Sequence, residues 1–297
     1  MTAGGNQSLH KNPQSFFVCD LHGRPDRYRK LVERIDDERP MAVFMGGDLL
    51  PAVAMPATEV AEHGGFVHQV LAAAFKQLQL RLGADYPRVF LILGNDDPRV
   101  HETAVQEAGA GGTWEYVHAR RVEWTPWSVY GYAFVPPTPF RLKDWERYDV
   151  SRYVDPGCIH PQDGVLTRPV AESELGFFTI QQGLAALTQN DPLDNAVCLF
   201  HAPPYRTGLD RAALDGRKID HVPLDVHVGS MAIRRFIEER QPRLTLHGHV
   251  HESARLTGIW REILGRTVML SAAHDGGELC LVRFDPRHPE AATRELI

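Results

Sequence analysis

Leu246-His247-Gly248-His249-Val250-His251-Glu252 places three histidines within five residues, directly after the apolar-ended run Arg243-Leu244-Thr245-Leu246. Neutral imidazole is the commonest protein ligand for transition metals, so this density points to metal binding. A polar strand-end loop with solvated histidines is the alternative that the segment alone leaves open. Gly248, between the first two histidines, lets the backbone turn sharply. A metal site needs further ligands from elsewhere in the chain.

Upstream, residues 15–19, 41–45, 88–93 and 195–200 are continuous apolar runs that predict buried strands. Between the first three lie helical patterns, Tyr28, Leu31, Val32, Ile35 in one and Val67, Val70, Leu71, Ala74, Phe75, Leu78 in the other, the latter within a helix expected over 60–82. Strands this apolar need both sheet faces covered, which predicts an α/β fold with helices packed on the sheet. In such sheets ligands bind beyond the carboxyl ends of the strands. Each run ends in polar groups there: Asp20-Leu21-His22-Gly23, Gly46-Gly47-Asp48, Gly94-Asn95-Asp96-Asp97 and His201-Ala202-Pro203-Pro204-Tyr205. Asp97-Pro98 reads as a helix cap followed by proline at the first helical position.

The middle of the chain is less regular. Residues 121–124 and 128–132 predict two strands, 174–188 one helix, and 231–239 another helix after Gly229-Ser230. Residues 256–257, 267–270 and 278–282 read as closing, mostly antiparallel strands. Residues 135–170 are rich in proline, aromatics and charge and read as an ordered, lid-like excursion, since Phe140, Trp145, Tyr148 and Tyr153 need something to pack on; an oligomer contact or plain padding are the other readings. No repeat or linker divides the chain, so 1–297 is taken as a single domain with a core over about 15–283.

At 43% hydrophobic and 24% charged residues, the composition is that of an ordinary globular protein. The formal charge of −6 leaves no electrostatic footprint for duplex nucleic acid or an anionic membrane, so a phosphate-bearing substrate would be drawn in by local cations. Cys19, Cys158, Cys198 and Cys280 form no CxxC pair and no dense framework, so neither a thiolate zinc site nor a secreted disulfide scaffold is indicated. With no apolar leader at 1–14 and no run of membrane-spanning length, a cytoplasmic setting is the default expectation.

Each polar strand end alone is weak, because a turn or a loop cap explains it. Jointly, Asp20/His22, Asp48, Asn95, His201 and His249/His251 are expected to point toward one edge of one sheet. Carboxylate, imidazole and amide oxygen suit manganese, iron or zinc, and two such cations about 3.5–4 Å apart can clamp a phosphoryl group.

The ordered set D-x-H, G-D, G-N-x-D, H and G-H-x-H resembles the calcineurin-like metallophosphoesterase superfamily over about residues 15–283. The local wording GNDDP, HAPPY, HVGS and GHVHES is most similar to a prokaryotic branch of predicted phosphoesterases related to the cyclic-AMP phosphodiesterase group. The resemblance implies a four-layer α/β/β/α sandwich with the site at the strand ends. It implies two divalent metals (Mn, Fe or Zn), with Asp20, His22 and His251 on one, Asn95, His201 and His249 on the other, and Asp48 bridging. It further implies phosphoester hydrolysis by a metal-bridging hydroxide, with Asn95 and His201 also facing the substrate phosphate. His247 lies outside the pattern and reads as a residue that supports the ligands or the fold from behind, with a direct ligand role as the alternative.

One departure concerns the general acid. Many members carry histidine where this chain has Asp96, and a carboxylate serves as an acid only if its pKa is raised toward neutrality. Three readings stand: Asp96 is a loop residue and an acid comes from elsewhere, with His63, His68, His160 and His274 as candidates; the enzyme prefers diesters or activated esters; or the protein binds metal with little activity. His274 stands where related sequences have an Asn-Pro-Gly turn, which allows it to face the site or to be an exposed turn residue. The leading expectation is hydrolysis of a phosphodiester or nucleotide-like small substrate. The alternatives are a phosphomonoesterase with an acid from outside the motif, a catalytically weak scaffold that uses the fold for protein interaction, and a nuclease, which the acidic balance disfavours. A homo-oligomer is left open.

Overall fold

The computed structural model describes residues 13–51 and 65–297. Among these residues, fourteen strands form two six-stranded mixed sheets and one small hairpin. In the first large sheet, β1 (Ser15–Val18), β2 (Ala42–Gly46), β3 (Arg88–Ile92) and β4 (Glu115–Tyr116) run parallel. β13 (Cys280–Phe284) and β14 (Thr293–Leu296) add antiparallel at the β1 side. The second sheet has the order β11 (Arg261–Leu264), β12 (Thr267–Ser271), β10 (Leu244–His247), β7 (Ala196–Phe200), β6 (Trp127–Tyr132), β5 (Arg120–Trp124). Its four inner strands are parallel and its two edge strands antiparallel. β8 (Lys218–Ile219) and β9 (Val222–Pro223) make the exposed hairpin.

The two sheets face each other. Phe44 of β2 and Phe90 of β3 pack edge-on against Trp124 of β5, with ring centroids 5.5 and 5.8 Å apart. Helix α1 (Pro25–Glu38) and helix α2 (Ala73–Leu82), entered through a π-helical turn at Val67–Ala72, cover the first sheet. α1 buries Tyr28, Leu31 and Ile35; the second helical stretch buries Val67, Leu71, Phe75 and Leu78. α3 (Glu102–Gly109) packs beside them. After α4 (Glu172–Phe177), α5 (Ile180–Thr188) and α6 (Met231–Arg240) pair with each other, and α5 lies against β5 and β6 of the second sheet. The result is the expected α/β/β/α sandwich, and every strand end singled out in the sequence lies at the carboxyl end of a parallel strand, but these ends belong to two facing sheets and not to the single sheet expected, because β7 and β10 pair in the second sheet.

Several local expectations are corrected. The helix expected over 174–188 is two helices; Thr179 starts the second with a capping box in which its side chain accepts from Gln182 N and Gln182 returns the bond to Thr179 N. Residues 256–257 lie in a short helix, α7 (Ser253–Thr257), not in a strand. Of the closing strands, β12 is parallel to β10, because its apolar run is buried on both faces between β10 and β11. Asp97 does not cap a helix: a 3-10 turn at Arg99–His101 precedes α3, and the Asp97 carboxylate is used elsewhere. In the excursion, Trp145 and Tyr148 are buried as expected, whereas Phe140 and Tyr153 are 58% and 63% exposed, so packing explains only half of its aromatics.

The excursion is held by buried charge. Lys143 donates to Glu146 Oε2 at 2.5 Å and to the Thr138 carbonyl at 2.8 Å, with both charged side chains fully buried. Asp149 accepts from Ser230 Oγ and from the amides of Met231 and Ala232, which ties the excursion to the start of α6.

His118 sits among Tyr132, Phe134 and Trp145, with Nδ1 accepting from the Ala133 amide at 3.0 Å. Burial, aided by Arg99 and Arg147, pushes its pKa down to about 3. The ring is therefore neutral in the folded chain but protonates near pH 6.5 once unfolded, so its contribution is fully present above pH 6.5 and is lost as the pH falls toward 3. Urea unfolding between pH 7 and 4.5 should show stability falling by up to about 1.4 kcal/mol per pH unit from this residue. His118→Asn, which keeps an acceptor for Ala133, should flatten that dependence; an unchanged slope would mean that other groups carry it.

Candidate metal centre

Asp20 and His22 follow β1, Asp48 follows β2 and Asn95 follows β3, all from the first sheet. His201 follows β7, while His249 and His251 follow β10, all from the second. The seven side chains converge. Ligand atoms of Asp20, His22, Asp48 and His251 all lie within 4.8 Å of one another, as a cation site requires. His22 Nε2 and His251 Nε2 are 3.2 Å apart, and His251 Nε2 lies 3.5 Å from Asp20 Oδ1. On the other side of Asp48, His201 Nε2 is 3.3 Å from Asp48 Oδ2 and 3.0 Å from Asn95 Oδ1. The His249 ring stacks obliquely beside His201, with centroids 5.2 Å apart. Asp48 thus lies within reach of both sets.

The backbone is bent to make this happen. Asp20, His22, Asp48 and His249 have φ of 55°, 46°, 53° and 73°, in the left-handed region that non-glycine residues rarely occupy. Such conformations cost on the order of 1 kcal/mol or more each and gather where surrounding structure enforces them. Gly94 is required by closeness instead: a Cβ there would lie 2.3 Å from Asp48 Oδ1 and 2.7 Å from His201 Cε1.

Neighbouring groups orient the ligands. His201 Nδ1 donates to the Gly46 carbonyl at 2.7 Å, which leaves Nε2 facing the site. The Asp96 amide donates to Asp48 Oδ1 at 2.8 Å, and Asn95 Nδ2 donates to Asp96 Oδ1 at 3.1 Å, turning the Asn95 carbonyl oxygen inward. Asp97, fully buried, accepts from the amides of Leu49, Leu50 and Gly94, clamping the Asp48 loop to the Asn95 loop. Trp145 Nε1 donates to the Asp97 carbonyl at 2.8 Å and Asp144 accepts from the Arg99 amide at 2.7 Å, so the excursion braces this motif from behind. Sequence reasoning missed this brace, because Trp145 and Asp97 are 48 positions apart.

The electrostatics are those of a pocket built for cations. Burial opposes ionisation of Asp20 and Asp48, but facing histidines hold both carboxyls below the usual range. Burial also disfavours charge on His201 and His251, yet Asp48 and Asp20 push them up to about 10 and about 9. Burial keeps His249 down at about 3 and lowers His22. The charge of Asp48, then burial, lifts Asp96 to about 7; burial, then Asp48, lifts Asp97 to about 8. Imidazolium charges here balance buried carboxylates, a task that divalent cations perform with more charge.

The remaining residues named from the sequence lie elsewhere. His247 is fully buried, with Nδ1 on the Ala202 carbonyl at 2.9 Å and Nε2 on Thr245 Oγ1 at 2.7 Å, which is the structural role expected of it. His274 pairs with Glu278 at 3.0 Å, His160 with the Tyr148 hydroxyl at 2.9 Å, and His68 is exposed on the π-helical turn. Among the described residues no hydrogen bond or ring contact joins these three to the seven; His63 lies outside the described residues. Asp96 is 39% exposed at the rim, 3.7 Å from His22 Nδ1.

The family model of the calcineurin-like phosphoesterases matches residues 16–253. The chain belongs to that family. A crystal structure of TT1561 of Thermus thermophilus shares the fold at a TM-score of 0.56 and 15% identity, covering 95% of this chain and 98% of that one. A second crystal structure aligns at a TM-score of 0.58 and 17% identity, over 96% and 98% of the two chains. An uncharacterized protein of Methanocaldococcus jannaschii is 38% identical over 74 residues, which is 24% of this chain and 30% of that protein's length. The family normally binds two divalent metals, and the described donor set, all oxygen and imidazole, fits them.

Gly94→Ala should weaken Mn²⁺ binding by about tenfold or more, because the added methyl displaces Asp48. Calorimetric titration of metal-stripped protein, with circular dichroism as a fold control, checks this; parent-like affinity would show that the Asp48 loop yields without loss.

Proposed function

We propose that the chain is a dinuclear metal-dependent phosphoesterase whose substrates are phosphodiesters or small nucleotide-like phosphoesters. The observation that carries this reading is the position of Asp48, within reach of His201 on one side and of Asp20, His22 and His251 on the other. Asp20, His22 and His251 would hold one cation, Asn95, His201 and His249 the second, and Asp48 both. When bound, the cations supply the charge that polarises phosphoryl oxygens and activates water at neutral pH.

The chain's own residues then do the positioning. Asp48 is fixed by the Asp96 amide and His201 by the Gly46 carbonyl, so the cradle is preorganised by backbone contacts. The backbone strain at four ligand positions also argues for a working site, since a pure interaction scaffold gains nothing from it.

Asp96 decides the preference among esters. The uncompensated charge of Asp48 is what lifts Asp96 to about 7, and cations held by Asp48 would offset that charge; with its carboxylate engaged by the Asn95 amide and its own amide on Asp48, residue 96 then serves as a positioning residue and not as the acid. A poor leaving group depends on a proton donor worth about 10²–10⁴ in rate, whereas a diester with a good leaving group needs less help. In Mn²⁺, bis(p-nitrophenyl) phosphate should be turned over faster than p-nitrophenyl phosphate; equal or greater monoesterase activity would overturn the preference. Asp96→His should raise monoester turnover, and no gain would place the acid elsewhere. Asp48→Asn should abolish hydrolysis of both substrates while leaving the fold intact, and normal rates in that variant would remove the bridging role.

A further inference from the structure

Cys19 ends the buried run that begins β1 and immediately precedes Asp20. Its Sγ lies 2.8 Å from Asp20 Oδ2 and 3.8 Å from the His247 carbonyl, and only 4% of the residue is exposed. The thiol proton can donate to the carboxylate, whereas Asp20 as an anion can only accept. The other oxygen of the same group, Oδ1, accepts the His249 amide at 3.2 Å and lies 3.5 Å from His251 Nε2. The two oxygens therefore have separate surroundings: Oδ2 faces back into the protein and Oδ1 faces the ligand cluster. Gly248 closes over the back side, since a Cβ there would stand 2.9 Å from Cys19 Sγ and 3.0 Å from Asp20 Oδ2.

We infer that Cys19 is a positioning residue for Asp20: its thiol tethers Oδ2, so that the carboxylate presents Oδ1 as a one-oxygen ligand. Rotation about the last bond of an aspartate side chain is otherwise broad, so an untethered Asp20 would spend time with neither oxygen correctly aimed or with both turned inward. Contacts of this kind beside metal ligands typically govern affinity by about 10–100-fold. The inference rests on the metal reading above and adds to it a residue that touches no cation.

Metal-stripped parent, Cys19→Ser and Cys19→Ala proteins are titrated calorimetrically with MnCl₂, with circular dichroism as a fold control. The serine hydroxyl keeps a donor, so Cys19→Ser should stay within about threefold of the parent, while Cys19→Ala should lose about tenfold or more. Cys19→Val, which refills the space without a donor, carries the same expectation as alanine and stands in should that variant fail to fold. Equal affinity in parent and alanine or valine variants, or equal loss in serine and alanine, would overturn the tether and leave the metal reading intact. A parent that binds no Mn²⁺ while Asp20→Ala changes nothing would overturn both.

Discussion

One carboxylate sets the geometric demand that the fold satisfies. Asp48 comes from the first sheet, yet its closest imidazole, His201, comes from the second. The contact exists only if two sheets pack face to face with the carboxyl ends of their parallel strands at the same edge. The inter-sheet packing of Phe44 and Phe90 on Trp124 keeps them there, and His201 Nδ1 on the Gly46 carbonyl locks the two strand ends directly. Hydrophobic burial thus supplies the force and polar contacts at the rim supply the alignment.

The strained turns follow from the same demand. Side chains leaving a strand alternate between faces, so a ligand must be redirected by a bend in the residues just past the strand. Left-handed φ at Asp20, His22, Asp48 and His249 is that bend, made without glycine because the side chain itself is needed. Where no side chain is needed and a Cβ would crowd Asp48 or Asp20, at Gly94 and Gly248, glycine stands instead.

The seven convergent residues were legible in the sequence because each sits next to a strand that its apolar run announces. Position along the chain and position at the sheet edge are the same information for them. What was not legible is everything held by long-range polar contact. Asp97-Pro98 carries the local signature of a helix cap, but tertiary demand takes the carboxylate for the amides of Leu49, Leu50 and Gly94. The short outer strands β4, β11 and β14 were missed, since β4 is two residues long and alternating or charged edge segments give little signal. The thiol of Cys19 reads in sequence only as a small buried hydrophobe; its contact with Asp20 depends on the left-handed turn that no local pattern predicts.

The excursion after β6 changes meaning in the same way. As a string, its prolines and aromatics resemble a movable cover. In the fold, Lys143 and Glu146 are both buried and paired, and removing one partner of such a pair typically costs about 3–5 kcal/mol. That pair braces the segment internally, while Asp149 on α6, Trp145 on the Asp97 carbonyl and Asp144 on the Arg99 amide tie it at three places to the rest of the fold. It therefore acts as a buttress: it fixes the loop that carries Asn95 and Asp96 from the side opposite the ligands. Rigid support behind a charged pocket is what preorganised electrostatic catalysis requires, because dipoles that must reorient during the reaction give back much of what they stabilise.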